Sequence, residues 1–458
     1  MSTASLSCDP ENGPIVSTFL RYVLPSTLSL LAISTASVVD GFFVGNFIGA
    51  DALASINLLM PYFALLFGVA LMLAVGGSVK ISISLSKKDH GSASRVFNQV
   101  FFAVLAMNLV LCPLALLFSH QLFAALGAPQ KLFVLMDEYF SVLCLAMLIQ
   151  LSGLVLYYFA RADNRPELGM HALLLGAGTN IALDFLFIYG FGWGITAAAW
   201  ATLLAQLVQL LYLLRHFLSN KTSLHFAWPG KSWSELGFCI YNGFSEFINE
   251  ISIGIVILVF HWIISRQSGA EGIAAFSVVN YLIYISLMIY YGIVDAMHVL
   301  FSRNIGAGLV YRVSSFFKLA ACSIAVLSLL QVVFLLNFQG LVAEFFLEHD
   351  AKQALALTQT YVHMIWPIFL FNGFNVLISA YLTSSERAMH SSIIALSRSL
   401  VLPIVLLVLL RVLLPDIGFI YAISVAEALT FVLALIFFIY FRPEKIMSKQ
   451  DKLLEARC

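Results

Sequence analysis

Long apolar runs separated by short polar segments dominate the chain and predict twelve transmembrane helices. A helix needs about 20 apolar residues to cross the hydrocarbon core of a bilayer. Twelve runs reach that length, with approximate limits 17–43, 53–79, 96–118, 134–160, 169–191, 194–218, 237–264, 272–300, 314–337, 356–383, 391–413 and 418–441. Between the fifth and sixth runs, the stretch YGFGWG supplies three glycines for a tight turn. This pattern predicts an all-α membrane protein.

Composition supports the same fold class and excludes several others. Hydrophobic residues make up 61% of the 458 residues and charged residues only 10%, whereas about 25% of a typical soluble domain is charged. The mean hydropathy is +0.95. The net charge of zero gives no electrostatic basis for binding nucleic acid. The six cysteines show no C-x-x-C spacing, so they predict neither a disulfide framework nor a metal site.

The distribution of lysine and arginine predicts how the chain is oriented in the membrane. Twenty of the 24 basic residues fall on one side of the predicted spans, and only Lys131, Arg266, Lys352 and Arg411 fall on the other. Basic residues concentrate in cytoplasmic loops. We therefore expect a multi-pass protein of the cell inner membrane with both termini in the cytoplasm. The first run follows a segment without basic residues, so it is expected to be a retained helix and not a cleaved signal peptide.

An internal repeat divides the predicted spans into two halves. IGADALASINLL (48–59) resembles SGAEGIAAFSVV (268–279), and SKKDHGSASRV (86–96) resembles SRNIGAGLVYRV (302–313), at an offset of about 217–220 residues. Six spans per half is an even number, so both halves enter the membrane from the same side. We expect two six-helix bundles related by a pseudo-two-fold axis along the membrane normal. The predicted domains are an N-lobe (1–220) and a C-lobe (221–458) that ends in a short cytoplasmic tail.

Carboxylates inside the predicted spans are the main candidates for function. A charge at the centre of a membrane helix costs roughly 2.5–3.5 kcal/mol, so such residues are expected to have a role and a partner. Asn180 and Asp184 are four residues apart and share a helix face. The tight turn makes the fifth and sixth spans neighbours, which can bring Thr202 close, and Asp40 joins this group if the first span packs beside them.

These side chains together suit a small cation. Carboxylate, amide and hydroxyl oxygens are ligands that Na⁺ can use, and two carboxylates close together in a low dielectric can share a proton. The sequence therefore predicts H⁺ or Na⁺ binding at Asp40, Asn180, Asp184 and Thr202. The structural alternative is that Asp40 reaches to the outer interface and Asp184 is a hydrogen-bonded structural residue.

A second acidic pair lies in the seventh span. Glu246 and Glu250 are again four residues apart, and either could line a cavity. Glu427, in the twelfth span, could face a cavity or cap a neighbouring helix. Asp295 and His298 are expected at a solvated helix end. Pro25 removes one backbone hydrogen bond from the first span, which predicts either a hinge or a static bend.

Several kinds of chemistry have no support in the sequence. The chain has no G-x-x-x-x-G-K-[ST] loop, no H-E-x-x-H and no G-x-S-x-G motif. We therefore expect that the protein is not an enzyme and that it needs no cofactor beyond the ion itself. Transport would be driven by an ion gradient or would be passive.

Three stretches resemble the multidrug and toxic compound extrusion (MATE) family. They are VVDGFFVGNFIGADALASINLLMP (38–61), ARADNRPELGMHALLLGAGTNIALDFLFIYGFGWGITAAAWATLLAQ (160–206) and LSRSLVLP (396–403). The resemblance covers nearly the whole chain and is closest to the bacterial DinF-like and MepA-like branches. It implies a cation-coupled antiporter that exports bulky, often cationic, organic drugs by alternating access.

The resemblance also implies roles for particular residues. The cation site of these branches uses an aspartate in span one, an asparagine and an aspartate in span five and a threonine in span six. The matching residues are Asp40, Asn180, Asp184 and Thr202, and a bent first helix matches at Pro25. Either Glu246 or Glu250 represents the acid of span seven, although GFSE lacks the proline usual near that point. The second half does not repeat the site, because Ser399 and Pro403 stand at the positions equivalent to Asn180 and Asp184.

The expected partners are small organic molecules and the lipid bilayer, with the protein a monomer. A lipid-linked oligosaccharide flippase of the wider superfamily is the alternative function. Such flippases usually line their cavity with several basic residues, whereas Arg398 is the nearest to mid-membrane here and lies toward the inner end of its span. A membrane-embedded enzyme or receptor would need a catalytic constellation or a large ligand-binding domain, and neither is visible. The choice between H⁺ and Na⁺ stays open.

Overall fold

The computed structural model describes residues 9–219, 221–229, 233–346, 352–414 and 418–445, and every regular element within these ranges is helical. This confirms the all-α fold class. Lys231, Cys8, Cys458 and most of the predicted C-terminal tail lie outside these ranges.

The helices of the first half follow the apolar runs closely. They are α1 (Ile15–Phe43), α2 (Ala50–Ser86), α3 (His90–Leu117), the short α4 (Ser119–Ala125), α5 (Phe133–Ala162), α6 (Pro166–Asp184) and α7 (Ile195–Phe217). Two of them continue as π-helices, α1 over Val44–Ile48 and α6 over Phe185–Gly190. A π-helix is rare and is often found at functional sites.

The helices of the second half show the same kind of arrangement. They are α8 (Ser234–Gly269), α9 (Glu271–Gly306), α10 (Val310–Asn337), α11 (Gln339–Phe346), α12 (Lys352–Ile365), α13 (Ile368–Ser384), α14 (Ala388–Leu396), α15 (Leu402–Leu413) and α16 (Tyr421–Tyr440). A π-helix over Ser397–Val401 joins α14 to α15.

The number of spans agrees with the prediction. Within the described ranges, eleven helices are long and apolar enough to cross a membrane, and α12 with α13 makes a twelfth across a bend of 51°. This bend was not predicted. It lies at Trp366–Pro367, where proline cannot donate a backbone hydrogen bond and its ring clashes with the preceding turn.

Turns with positive φ recur in the two halves and agree with the sequence repeat. Gly49 (φ 123°) precedes α2 and Gly269 (φ 62°) precedes α9. Lys88 (φ 60°) and Gly308 (φ 75°) occupy the next pair of turns. The offset within each pair is close to that of the sequence repeat. The same local backbone geometry therefore separates corresponding helices of the two halves.

The chain divides into two compact units, Met1–Gly243 and Phe244–Cys458. The connecting segment 221–229 packs against the first unit. The Asn98 amide donates to the His225 carbonyl at 2.9 Å and accepts from the Ala227 backbone N–H at 2.9 Å. The first unit therefore includes this connection and the beginning of α8.

Candidate functional site

Helix α6 holds a fully buried carboxylate in the first unit. Asp184 is the last residue of α6 and is 0% exposed. Neither of its carboxylate oxygens has a hydrogen-bond partner among the described residues. Burying an ionised carboxylate without a partner is costly. The position therefore favours binding of a proton or a cation over a structural hydrogen-bonding role.

Asp40 on α1 belongs to the same group. Helix α6 packs against α1, and the Asp40 side chain is half-buried, with its Oδ1 atom buried and unpaired within the described ranges. Asp40 lies close enough to Asp184 for the two carboxylates to interact electrostatically. In the described part of the chain, no lysine, arginine or histidine forms an ion pair with either one.

Tyr139 on α5 is a member of this group that sequence reasoning missed. It is 4% exposed and lies within electrostatic range of both Asp40 and Asp184. Its hydroxyl is a polar group near two carboxylates, and a phenolic hydroxyl can donate a hydrogen bond to a carboxylate. The only signal in the sequence was a tyrosine within an apolar run. That signal is weak because most aromatic residues of membrane helices are packing residues.

The other two predicted ligands lie on the expected helices. Asn180 is half-buried one turn before Asp184, and Thr202 is half-buried on α7, which packs against both α5 and α6. The structure thus brings Asp40 and Asp184 together, with Asn180 on the same helix as Asp184. Participation of Thr202 in the same site stays a prediction.

The chemistry of the group suits a hard monovalent cation or a proton. Within the described ranges, no three or more His, Cys, Asp or Glu side chains are placed to hold a metal ion. A Na⁺ ion at Asp40 and Asp184 would therefore need amide, hydroxyl or backbone oxygens to complete its ligands. Asn180, Thr202 and Tyr139 are the side chains available for that role.

The helix ends beyond the two aspartates are joined by aromatic rings. The π-helix after Asp40 and the π-helix after Asp184 contact each other. Phe47 and Tyr189 meet edge to face at 5.4 Å between ring centroids, and Phe43 and Phe185 do so at 6.3 Å. These contacts tie the C-terminal ends of α1 and α6 together beside the carboxylates.

Pro25 lies inside α1 and does not interrupt it. The helix is continuous from Ile15 to Phe43. Serine hydroxyl groups donate hydrogen bonds to backbone carbonyls at and near the proline. The Ser29 hydroxyl donates to the Pro25 carbonyl at 2.6 Å, and the Ser26 hydroxyl donates to the Tyr22 carbonyl at 2.9 Å. A missing backbone hydrogen bond remains a weak point in this helix, which fits a hinge as well as a static bend.

The second acidic pair lies half-buried on α8 in the second unit. Glu246 is within electrostatic range of Asp295, Arg398 and Glu250. Asp295 and His298 were expected at a solvated helix end, and this expectation is wrong. They are only 9% and 3% exposed. The helix α9 that carries them extends beyond the predicted apolar run to Gly306, so their position is no longer at its end.

Glu427 has a definite partner in the second unit. Its Oε1 atom lies 3.4 Å from Arg398 Nε, and the two side chains are 9% and 7% exposed. The Asn375 amide donates to Glu427 Oε2 at 2.6 Å and to the Glu427 backbone carbonyl at 2.9 Å. Of the two roles left open from the sequence, a contact with neighbouring helices describes Glu427 better than free exposure to a cavity.

An aromatic groove of about 430 Å³ lies between the π-helix that follows α6 and the beginning of α7 in the first unit. It is lined by Phe187, Trp193, Thr196, Trp200 and Leu204. The Thr196 hydroxyl donates to the Trp193 carbonyl at 3.1 Å. The groove is therefore mostly apolar.

Comparisons with known proteins agree with this arrangement. The MatE family model matches residues 25–186 and 246–409, which together make up more than half of the chain. The multidrug export protein MepA of Staphylococcus aureus is 24% identical over 451 residues, which cover 97% of this chain and 98% of that protein.

Solved structures of the same kind share the fold. A MATE protein in complex with MaL6 has a TM-score of 0.88 at 21% identity and covers 99% of this chain and 100% of its own. An outward-facing multidrug resistance MATE family transporter of the MOP superfamily has a TM-score of 0.87 at 22% identity, with 98% of each chain covered. At these identities, the likeness concerns the fold.

Proposed function

We propose, because this chain belongs to the MatE family of membrane transporters, that it exports bulky, often cationic, organic compounds in exchange for H⁺ or Na⁺. The chain is a multi-pass membrane protein and a transporter, which confirms the prediction that it is not an enzyme. Its proposed location is the cell inner membrane, with both termini in the cytoplasm and the protein acting as a monomer.

One observation carries the coupling proposal. Asp40 and Asp184 are close together, Asp184 is 0% exposed, and no basic side chain within the described ranges pairs with either one. Two carboxylates in such surroundings cannot both stay ionised without a compensating charge. A cation that enters and leaves this site would change the charge of the group in each transport cycle. Asn180, Thr202 and Tyr139 would complete its ligands.

The proposed mechanism couples that cation to the shape of α1. Binding at Asp40 and Asp184 would stabilise one bend of α1 at Pro25, and release would favour the other. A ligand shifts such an equilibrium only by as much as it binds the two states differently. The drug would bind preferentially to the state that the cation does not favour, so that occupancy by drug and by cation exclude each other. Glu246 and Glu250 are the proposed second acidic site for cationic compounds.

The relatives support the class of substrate. The Staphylococcus aureus protein is a multidrug export protein, and a solved MATE protein forms a complex with MaL6. The alternative flippase function would require unpaired basic side chains to meet an anionic lipid. Arg398, the basic residue nearest to mid-membrane in the predicted spans, is paired with Glu427, which favours the exporter.

Replacement of Asp184 tests the coupling site. We expect Asp184→Asn to abolish gradient-driven drug efflux from proteoliposomes, because the amide carries no negative charge and takes up no proton, while leaving the amount of folded protein unchanged. Asp51→Asn is the matched control, since Asp51 is 62% exposed and pairs with Lys131 at 2.9 Å on the surface. Normal efflux by the Asp184 variant would refute the site.

The coupling ion is identified by a second measurement on wild-type protein. Dye efflux is compared with and without Na⁺ at fixed pH and then after addition of a proton ionophore. Loss of efflux without Na⁺ assigns Na⁺, and loss with the ionophore at constant Na⁺ assigns H⁺. Efflux that survives both treatments contradicts cation coupling.

A further inference from the structure

The second unit carries a buried basic residue in the helix that corresponds to α6 of the first unit. In the first unit, α6 ends at Asp184 and continues as a π-helix. In the second unit, α14 ends at Leu396 and continues as the π-helix Ser397–Val401, which includes Arg398. Both spans thus contain a π-helix, but in the first unit it follows the acidic residue Asp184, whereas in the second unit it lies earlier in the span and contains a basic residue.

Arg398 is held in place from several helices. Its guanidinium contacts Glu427 on α16 at 3.4 Å and lies beside Tyr291 on α9. Glu246 on α8 is also within electrostatic range. The Ser399 hydroxyl, next in sequence, donates to Asn249 Oδ1 on α8 at 3.0 Å, which fixes the π-helix against α8. Glu250 and Asp295 are the further acidic groups that face Glu246.

The two units therefore satisfy buried carboxylates in opposite ways. Asp40 and Asp184 have no basic partner in the described part of the chain, whereas Glu427 has an arginine and an asparagine amide. A buried carboxylate needs a compensating charge and hydrogen bonds. In the first unit only a mobile ion can supply the charge, but in the second unit the guanidinium supplies it permanently.

We propose that Arg398 is a tethered cation that takes the place of an exchangeable ion in the second unit. On this view Glu427 and Glu246 bind and release no H⁺ or Na⁺ during transport, and the number of coupling ions exchanged per cycle is set by Asp40 and Asp184 alone. The part of this inference that concerns the number of ions exchanged per cycle rests on the proposed function. The protonation of the carboxylates can nevertheless be measured without any transport.

Infrared difference spectroscopy of the reconstituted full-length protein tests this directly. Protonated buried carboxyl groups give a band separate from ionised ones, and the spectrum is compared between alkaline and acidic buffers, with and without NaCl. In Asp40→Asn/Asp184→Asn protein, which removes the first-unit signal, we expect no band from Glu427 or Glu246. Adding Arg398→Met should create one in acidic buffer without NaCl, because Glu427 then takes up a proton, and further adding Glu427→Gln should remove it.

Two controls keep the outcome interpretable. Arg398→Lys retains the charge and should give no new band, and Arg411→Met removes an exposed basic residue from α15 and should also give none. Folding of each variant is checked by its elution as a single species in detergent.

The proposal is overturned if Asp40→Asn/Asp184→Asn protein with Arg398 intact shows a band that Glu427→Gln or Glu246→Gln removes. It is equally overturned if folded Arg398→Met protein shows no new band. Failure of the exporter function itself would appear instead in the efflux assays with wild-type protein.

Discussion

At the scale of single residues, Asp184 and Glu427 are both buried carboxylates in apolar helices, yet their surroundings differ. Asp184 has two oxygens without a hydrogen-bond partner among the described residues, while both oxygens of Glu427 are engaged by Arg398 and Asn375. The arrangement at Asp184 depends on a proton or cation that binds from outside the chain. The second is complete within it, so the two positions should respond differently to mutation.

Removing one member of the buried ion pair should cost more stability than removing both. Arg398→Met leaves Glu427 buried without its partner, and breaking a buried pair in this way costs about 3–5 kcal/mol. In the double variant Arg398→Met/Glu427→Met no uncompensated charge remains, so most of that loss should be recovered. Thermal unfolding of purified protein in detergent measures both, with Arg411→Met as the exposed control. Equal destabilisation of the single and double variants would contradict the pairing.

The individual site residues were predictable to different degrees. Asp184 was identified because a charge in an apolar run is costly, and this holds whatever its neighbours are. Tyr139 was not identified, since its role depends on helix α5 packing beside two carboxylates that are distant in sequence. The expectation for Asp295 failed because it rested on distance from a helix end, and α9 extends further than its apolar run. The type of a residue indicates that burying it costs free energy, but only the packing of the helices shows which side chains it contacts.

At the scale of helices, two glycines allow the beginning of α8 to approach α2 very closely. A Cβ atom added to Gly76 would collide with the backbone carbonyl of Cys239, and one added to Gly243 would collide with the carbonyl of Met72. Small residues let membrane helices come together in this way. Gly76 belongs to α2 and Gly243 belongs to α8, so each helix contributes a glycine to the same crossing.

Alanine at either glycine should therefore destabilise the first unit. Neither colliding atom belongs to a flexible side chain, so the helices must move apart, and overpacking of this kind costs about 1–3 kcal/mol or more. Gly178→Ala on α6 is the control, because its added methyl would meet nothing within 4 Å. Thermal unfolding in detergent should separate the two groups. A normal unfolding temperature for Gly76→Ala and Gly243→Ala would show that α2 and α8 are not this close.

The helices themselves were largely predictable, whereas their irregularities were not. Apolar length alone identified every span, because the bilayer imposes a minimum of about 20 residues. The bend at Trp366–Pro367 had a signal in its proline, but the apolar run continues across it. The three π-helices of the described ranges have no comparable signal in the sequence. A π-helix differs from an α-helix only in its i→i+5 hydrogen bonds, which require no particular residue type. These π-helices follow or contain the charged residues that matter most, so the least predictable geometry lies at the candidate sites.

At the scale of the whole molecule, the repeat is visible in both sequence and backbone. Gly49 and Gly269, and then Lys88 and Gly308, adopt positive φ at corresponding turns. Positive φ is unfavourable for most residues other than glycine, so its recurrence at Lys88 indicates that the turn itself is retained. The Asn180 and Asp184 pair of the candidate site is not retained in the second half, where Ser399 and Pro403 stand at the equivalent positions, which separates the common scaffold from the chemistry of each unit.

The orientation of the chain in the membrane can be tested on surface lysines. Because 20 of the 24 basic residues fall on one predicted side, the positive-inside rule places Lys87 in the cytoplasm and Lys131 outside. Both side chains are exposed, so each can be replaced by cysteine in a protein whose six native cysteines have been changed to alanine. In intact cells, a membrane-impermeant maleimide should label Lys131→Cys and should label Lys87→Cys only after the cells are opened. The reverse pattern would place both termini outside and would remove the basis for export from the cytoplasm.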